Sequence, residues 1–248
     1  MNMMRFSKYL VLSLVLSLLL AAPAFAKLMN AKGTIVYAGD SRFARMYNDH
    51  HIYSRGDVYR FSKNSITADK YTEQLLPGLC KYLDSRKHVT IVACIGINDL
   101  LTMSLSQISR DSPQIRSVFG IYRMLIQKYA KAPYHDSIFI KSVDPTGKKG
   151  YPQRGYQNSK VKRFNSLVRK SFRRYYMDSY TYIWKLTGGK IDPYTANTGS
   201  YTVNGHDGLH YNRKTNRLLH KWIRIYAGIE NPDVTDNIHQ TTHNDRSQ

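Results

Sequence analysis

The chain of 248 residues has little cysteine and few acidic side chains. Its two cysteines, Cys80 and Cys94, each lie in an apolar stretch. This favours free, buried thiols over a disulfide framework, and a single bridge remains as an alternative. Only 17 Asp and Glu residues oppose 37 Lys and Arg residues, so the formal net charge is +20 at pH 7. Such an excess favours anionic partners, including phosphate-bearing polymers, acidic polysaccharides and lipid headgroups.

Several kinds of binding motif are missing from the sequence. No glycine-rich phosphate loop follows the first apolar run, and the nine histidines are scattered without the spacing of metal ligands. We therefore expect no cofactor and no bound metal. The sequence also lacks a nucleic-acid recognition motif, so nucleic acid is not expected as a partner.

Long apolar runs are scarce as well. The longest, over residues 9–20, is shorter than the roughly 20 residues that cross a bilayer. Arg5 and Lys8 precede this run and Ala24-Phe25-Ala26 follows it, which is typical of a secretory signal peptide cleaved after Ala26. The sequence thus predicts a signal peptide over residues 1–26 and a secreted or extracytoplasmic protein without a stable membrane span. Removing the two signal cations would leave a charge of +18.

Short apolar runs alternate with longer amphipathic segments through residues 27–229, which we interpret as one domain. The strand candidates are residues 34–38, 51–54, 89–95, 137–143 and 181–186. The helix candidates are residues 42–49, 68–83, 114–131, 158–175 and 214–228. This alternation predicts an α/β fold with a parallel sheet covered by helices on both faces. Residues 230–248 are polar and lack apolar periodicity, which predicts a flexible tail.

Two polar motifs indicate a serine hydrolase. Gly39-Asp40-Ser41-Arg42 lies where the first predicted strand meets the first predicted helix, and such a turn exposes a serine beside free helical N–H groups. Asp207-Gly208-Leu209-His210 precedes the last predicted helix, and a carboxylate at this spacing is able to orient the imidazole. Taken singly, each residue is better explained as a helix cap or a structural histidine. Their convergence at the carboxyl edge of one sheet favours catalysis.

A third motif, Gly96-Ile97-Asn98-Asp99, lies between these two, and the three in this order resemble the blocks of SGNH (GDSL-type) hydrolases. The resemblance covers most of the chain from Gly33 onward. It implies a three-layer α/β/α, flavodoxin-like fold with a central parallel sheet of about five strands, and ester hydrolysis through an acyl-enzyme.

The resemblance also implies a role for each matching residue. Ser41 would be the nucleophile, His210 its general base and Asp207 the group that orients the base. The oxyanion hole would be formed by the backbone N–H groups of Ser41 and Gly56 and by the side chain of Asn98. We interpret the remaining acid of the middle motif, Asp99, as structural.

Candidate substrate contacts lie close to these motifs. Tyr151 and Tyr156, in a long loop after the fourth predicted strand, are suited to stacking on sugar rings, and Arg42 and Arg45 are suited to an anionic group beside the ester. Ordinary polar loops and solvent-facing arginines explain the same residues. We predict a secreted serine esterase that removes small acyl groups, foremost O-acetyl, from extracellular or cell-wall carbohydrate.

Other functions stay open at the level of sequence. A lipid-directed esterase or lysophospholipase and an O-acyltransferase share the same nucleophile, whereas a non-catalytic module that binds wall polymer needs none. The helix candidate at residues 158–175 carries seven cations and no acid, which fits either a solvated face or a stripe that binds an anionic cell-surface polymer.

Overall fold

The computed structural model describes residues 29–30, 32–48, 57–197 and 202–231. The predicted signal peptide, the strand candidate at residues 51–54, Gly56 and all but the first two residues of the predicted tail lie outside these ranges. None of the helices in the described ranges has the length and apolar character needed to cross a membrane.

A five-stranded parallel sheet forms the centre of the protein. The strands are β1 (Met29–Asn30), β2 (Ile35–Gly39), β3 (Val58–Ser62), β4 (Arg86–Lys87), β5 (Thr90–Cys94), β6 (Ser137–Lys141) and β7 (Tyr176–Met177). The central sheet has the order β3-β2-β5-β6-β7, and β1 pairs separately with β4. The strand order reverses between β2 and β5, which is where open α/β sheets form their ligand-binding crevice.

Seven α-helices flank the sheet in the described residues. They are α1 (Ser41–Asn48), α2 (Ala68–Gln74), α3 (Leu76–Leu83), α4 (Pro113–Tyr129), α5 (Asn158–Ser171), α6 (Ser179–Leu186) and α7 (Arg213–Tyr226). Phe119 of α4 packs edge-on against Phe172, which follows α5, with ring centroids 5.1 Å apart. Tyr37 of β2 forms a hydrogen bond with His220 of α7, with Oη 2.6 Å from Nδ1. The predicted three-layer α/β/α fold is confirmed.

The two central strands lack the alternation of a half-exposed sheet. Every residue of β2 and β5 is buried, because helices cover a parallel sheet on both sides. Gly39 ends β2 at a point of very close approach. A Cβ there would collide with the carbonyl oxygen of Cys94 and lie 2.7 Å from the ring of Phe43. Glycine therefore lets the ends of β2 and β5 meet beside Ser41.

Two predicted elements differ from the structure. Residues 181–186, expected to be the fifth strand, belong to helix α6, which Asp178 caps by accepting a hydrogen bond from the N–H of Thr181 at 3.1 Å. The fifth strand is instead the two-residue β7, which is too short to show a period. The helix predicted over residues 68–83 breaks at Leu75, because Pro77 lacks an N–H and its ring excludes a continuous helix.

The cysteines occupy the predicted kinds of element. Cys80 lies in α3 and Cys94 in β5, and both are free thiols, so the alternative of a bridge is wrong. Cys94 is buried, and burial raises the pKa of its thiol to about 12.

Candidate active site

Three side chains from the two ends of the chain form a continuous hydrogen-bonded series. Ser41 is the first residue of α1, and its Oγ lies 2.9 Å from Nε2 of His210. The Nδ1 atom of the same ring lies 2.9 Å from Oδ2 of Asp207. Ser41 and His210 are each 5% exposed and Asp207 is fully buried. A proton on Nδ1, held by the carboxylate, leaves Nε2 free to accept the proton of the serine hydroxyl.

Local hydrogen bonds fix the nucleophile and the base. Asp40 caps α1: its Oδ1 accepts from the N–H of Arg42 at 3.1 Å, and its carbonyl oxygen accepts from the N–H of Ala44. Asp207 uses Oδ1 to accept from the N–H groups of Leu209 and His210, both at 2.8 Å. This leaves the other carboxylate oxygen of Asp207 directed at the imidazole.

Neighbouring loops hold the turn that carries His210. The N–H of Gly147 donates to the carbonyl oxygen of Gly208 at 2.7 Å, and the N–H of Tyr151 donates to that of Asp207 at 2.9 Å. Gly208 has a φ of +68°, and a Cβ there would strike the carbonyl oxygen of Lys149. The loop after β6 and the turn before α7 are therefore packed backbone against backbone, which only glycine permits.

Asn98 is oriented by two hydrogen bonds. It follows β5, the strand next to β2, and its Oδ1 accepts from the hydroxyl of Tyr156 at 3.1 Å. Its Nδ2 donates to the carbonyl oxygen of Ile66 at 3.0 Å. Because a side-chain amide has two N–H donors, one donor of Asn98 is left for a ligand. Its neighbour Asp99 accepts from the N–H of Ala68 and so caps α2, and burial raises the pKa of this carboxyl to about 6.

No protein-family model and no curated protein matches this sequence. Solved structures do resemble it. The lipase/acylhydrolase from Enterococcus faecalis is 13% identical, covers 81% of this chain and 96% of its own, and aligns with a TM-score of 0.51. A GDSL-like lipase from Bacteroides thetaiotaomicron is also 13% identical, with coverages of 79% and 88% and a TM-score of 0.51. The chain has the SGNH hydrolase fold. At this identity the similarity establishes the fold, and activity has to be argued from the site.

Within this SGNH fold, Arg42 lies inside the protein and not at the surface. It is 6% exposed, and its guanidinium donates to the carbonyl oxygen of Asp144 at 2.6 Å and approaches that of Pro145 at 3.5 Å. The hydroxyl of Tyr211 donates to the same Pro145 oxygen at 2.7 Å. Arg42, which follows Ser41, and Tyr211, which follows His210, thus both contact the carbonyl oxygen of Pro145. The expectation that Arg42 binds substrate is corrected, because the side chain is buried and its Nη1 and Nη2 groups contact carbonyl oxygens of the protein itself.

A buried ion pair that the sequence alone did not indicate supports this junction. Nζ of Lys141 lies 2.5 Å from Oδ2 of Asp144, and both side chains are almost fully buried. The hydroxyl of Ser179 donates to the other carboxylate oxygen of Asp144. The sequence shows only a cation and an acid three residues apart at the end of a strand. Because this spacing is also common on protein surfaces, it does not by itself indicate a buried ion pair.

The other predicted substrate contacts have different surroundings. Tyr156 is only 8% exposed and donates to Asn98, so the expectation that its ring stacks on a sugar is corrected. Tyr151 is half-buried, and its ring stands edge-on to the imidazole of His210 with centroids 5.7 Å apart. Arg45 is half-buried in the second turn of α1. Gly56 lies outside the described residues, so its role as an oxyanion donor stays a prediction.

Proposed function

We propose that the protein is a serine esterase that acts through an acyl-serine intermediate. The observation that carries this proposal is the unbroken series of hydrogen bonds from the hydroxyl of Ser41 through His210 to the buried carboxylate of Asp207. As the serine oxygen attacks the acyl carbon, His210 takes its proton and Asp207 stabilises the imidazolium. The imidazolium then protonates the departing alcohol. His210 next deprotonates a water molecule, whose attack releases the acid and restores the serine.

The negative charge that forms on the oxygen of the tetrahedral intermediate must be stabilised by hydrogen-bond donors close to Ser41. The N–H of Ser41 belongs to the first turn of α1, where backbone N–H groups have no helical acceptor. Asn98 supplies a side-chain N–H from the neighbouring strand end, with its amide oriented by Tyr156 and Ile66. In our proposal Gly56 completes the hole. Each such donor contributes about 2.7 to 4 kcal/mol of transition-state stabilisation.

The substrate we favour is a small acyl ester, foremost O-acetyl, on extracellular or cell-wall carbohydrate. The low exposure of Ser41 and His210 and the edge of Tyr151 beside the imidazole favour a compact acyl group over a long alkyl chain. The extracellular setting follows from the signal peptide predicted over residues 1–26. A basic protein outside the cell meets anionic carbohydrate readily.

Covalent labelling tests the nucleophile, and a comparison of two nitrophenyl esters tests the acyl preference. We expect a fluorophosphonate to form one adduct, mapped by mass spectrometry to Ser41, and nitrophenyl acetate to be hydrolysed faster than nitrophenyl octanoate. Ser41→Ala should lose both the adduct and turnover, whereas Ser166→Ala, an exposed serine of α5, should keep both. An adduct at another residue would refute the site. A preference for octanoate would instead support a lipid-directed esterase. Efficient transfer of the acyl group to an added alcohol would support an acyltransferase.

A further inference from the structure

The basic stripe predicted over residues 158–175 is divided into two parts in the structure. Two of the three cations in its first half bind a neighbouring loop, and the third, Lys162, lies over the ring of Trp184 at 5.5 Å. Nζ of Lys160 lies 3.3 Å from the carbonyl oxygens of Leu100 and Leu101, and Nε of Arg163 donates to that of Ile108 at 3.1 Å. These side chains fasten the loop that follows β5. The cations able to meet a partner therefore lie toward the other end of the stripe.

At that end, a groove of about 510 Å³ lies between α4 and the segment that follows α5. Arg123 of α4 lines one side, and Arg173 and Arg174 line the other. Ile126 and the buried ring of Phe172 contribute apolar surface. All of the charged residues that line the groove, within the described part of the chain, are arginines.

Among the residues that the structure describes, the arginines of this groove have no acidic partner. Arg123 and Arg173 are exposed and make no hydrogen bond or ion pair with any residue that the structure describes, and Arg174 lies over the ring of Tyr175 at 4.9 Å. Arg224, in contrast, pairs with two carboxylates, each at 3.1 Å. Guanidinium groups that share a groove without an acid repel one another, and a bound anion relieves this repulsion.

We propose that this groove binds an anionic carbohydrate polymer. The guanidinium groups would pair with successive carboxylate or phosphate groups along the polymer, and the ring of Tyr175 would contact a sugar face. A polymer suits three separate cations better than a single ion, because its charges recur along the chain. The net charge of +20, or +18 without the predicted signal peptide, would draw such a polymer toward the protein.

The groove is remote from Ser41. Helix α5 begins beside the site, where Oδ1 of Asn158 accepts from the N–H of Thr146 at 2.9 Å. Its 14 residues then lead away, a distance of roughly 20 Å at 1.5 Å per residue. A polymer held in the groove would leave the site open, so this binding does not depend on the proposed esterase activity.

Binding to fluorescent polygalacturonate oligomers, followed by anisotropy, tests the proposal. The groove variant Arg123→Gln/Arg173→Gln/Arg174→Gln should bind at least about tenfold more weakly than the wild type and show a weaker dependence on salt. The control Lys70→Gln/Lys81→Gln/Arg217→Gln removes the same charge from exposed positions on other helices, and we expect it to bind within about twofold of the wild type. Neutral dextran should not compete.

Two results would overturn the proposal. One is an equal loss of binding in the two triple variants, which would mean that net charge alone acts. The other is no binding of polygalacturonate by the wild type, and tight binding to anionic phospholipid vesicles in that case would identify a lipid surface as the partner. If the groove triple variant unfolds, Arg123→Glu, a single change on the exposed face of α4, should still weaken binding at least tenfold. Ser41→Ala should bind like the wild type, and the groove variant should cleave nitrophenyl acetate normally. Failure of either proposal is thereby separated from failure of the other.

Discussion

Several side chains in this site orient one another through hydrogen bonds. Asp207 divides its carboxylate between two backbone N–H groups and the imidazole of His210. In Asp207→Asn the amide would present either a weaker acceptor or an N–H to the ring. The imidazole would then no longer be held in the tautomer with its proton on Nδ1, and the imidazolium would lose the negative charge that stabilises it. We expect kcat for nitrophenyl acetate to fall about 10³- to 10⁴-fold with little change in KM.

The matched control for this change is Asp111→Asn, at an exposed acid, which should leave kcat unchanged. Steady-state kinetics on both variants, with circular dichroism to verify folding, give the comparison. A folded Asp207→Asn enzyme that retained a large share of wild-type kcat would remove Asp207 from the proposed mechanism.

Tyr156 is a second residue that acts through another. Its hydroxyl donates to Oδ1 of Asn98, and we expect Tyr156→Phe to lower kcat about fivefold, the equivalent of one hydrogen bond of about 1 kcal/mol, while KM stays constant. Asn98→Ala should cost about 10²- to 10³-fold because the donor itself is lost. Tyr180→Phe is the control, since that hydroxyl has no hydrogen-bond partner among the described residues. A rise in KM for an acetylated sugar with unchanged kcat would show that Tyr156 contacts substrate instead.

At the scale of elements, the approach of β2 to β5 sets the position of the nucleophile. In Gly39→Ala the new methyl group would collide with the backbone of Cys94 and the ring of Phe43, so the strands would have to separate. We expect a loss of about 1 to 3 kcal/mol in the free energy of unfolding, measured by urea denaturation.

Helix α4 provides the contrasting glycine. A Cβ at Gly120 meets no atom within 4 Å, so Gly120→Ala should raise the free energy of unfolding by about 0.5 to 1 kcal/mol. Equal effects of the two substitutions would contradict the close approach at Gly39.

Elements also show where patterns in the sequence mislead. Residues 181–186 are apolar enough for a strand, but the rings of Tyr180 and Trp184, four residues apart, stack on one face of α6 with planes inclined by 9°. That spacing is helical, and the cap at Asp178 begins the helix. Apolar content alone did not separate the two structures, because a short run fits either period.

At the scale of the whole molecule, Asp136 links stability to pH. It joins the loop before β6 to the start of β5 by accepting from the N–H of Val89 at 2.9 Å, and burial raises the pKa of its carboxyl from 3.8 to about 7. The folded state therefore binds this proton more tightly than the unfolded chain does. The resulting stability is complete below pH 3.8 and is lost as pH rises through about 7.

Asp136→Asn keeps an oxygen acceptor for Val89 and removes the titrating group. We expect the wild type to lose several degrees of melting temperature between about pH 6 and about pH 8.5, and the variant to lose distinctly less. Differential scanning calorimetry at matched ionic strength measures both. Parallel pH curves for the two proteins would show that Asp136 does not carry the effect.

The sequence by itself determined the alternation of strands and helices and the polar motifs at their junctions. Both depend on neighbours in the chain: apolar periodicity, a turn between strand and helix, and an acid three residues before a histidine. This was enough to anticipate the α/β/α fold and to nominate Ser41, Asp207 and His210 as candidates.

Only the tertiary structure decided which atoms those side chains meet. It brought His210 to Ser41 across 169 positions and joined the guanidinium of Arg42 to the carbonyl of Asp144 across 102. It also turned Tyr156 inward to Asn98, 58 positions away. The physical reason is that buried donors and acceptors must be paired, and the partner is set by which chain segments the packed sheet brings together. Local sequence records a preference for helix, strand or turn and contains no record of that distant partner.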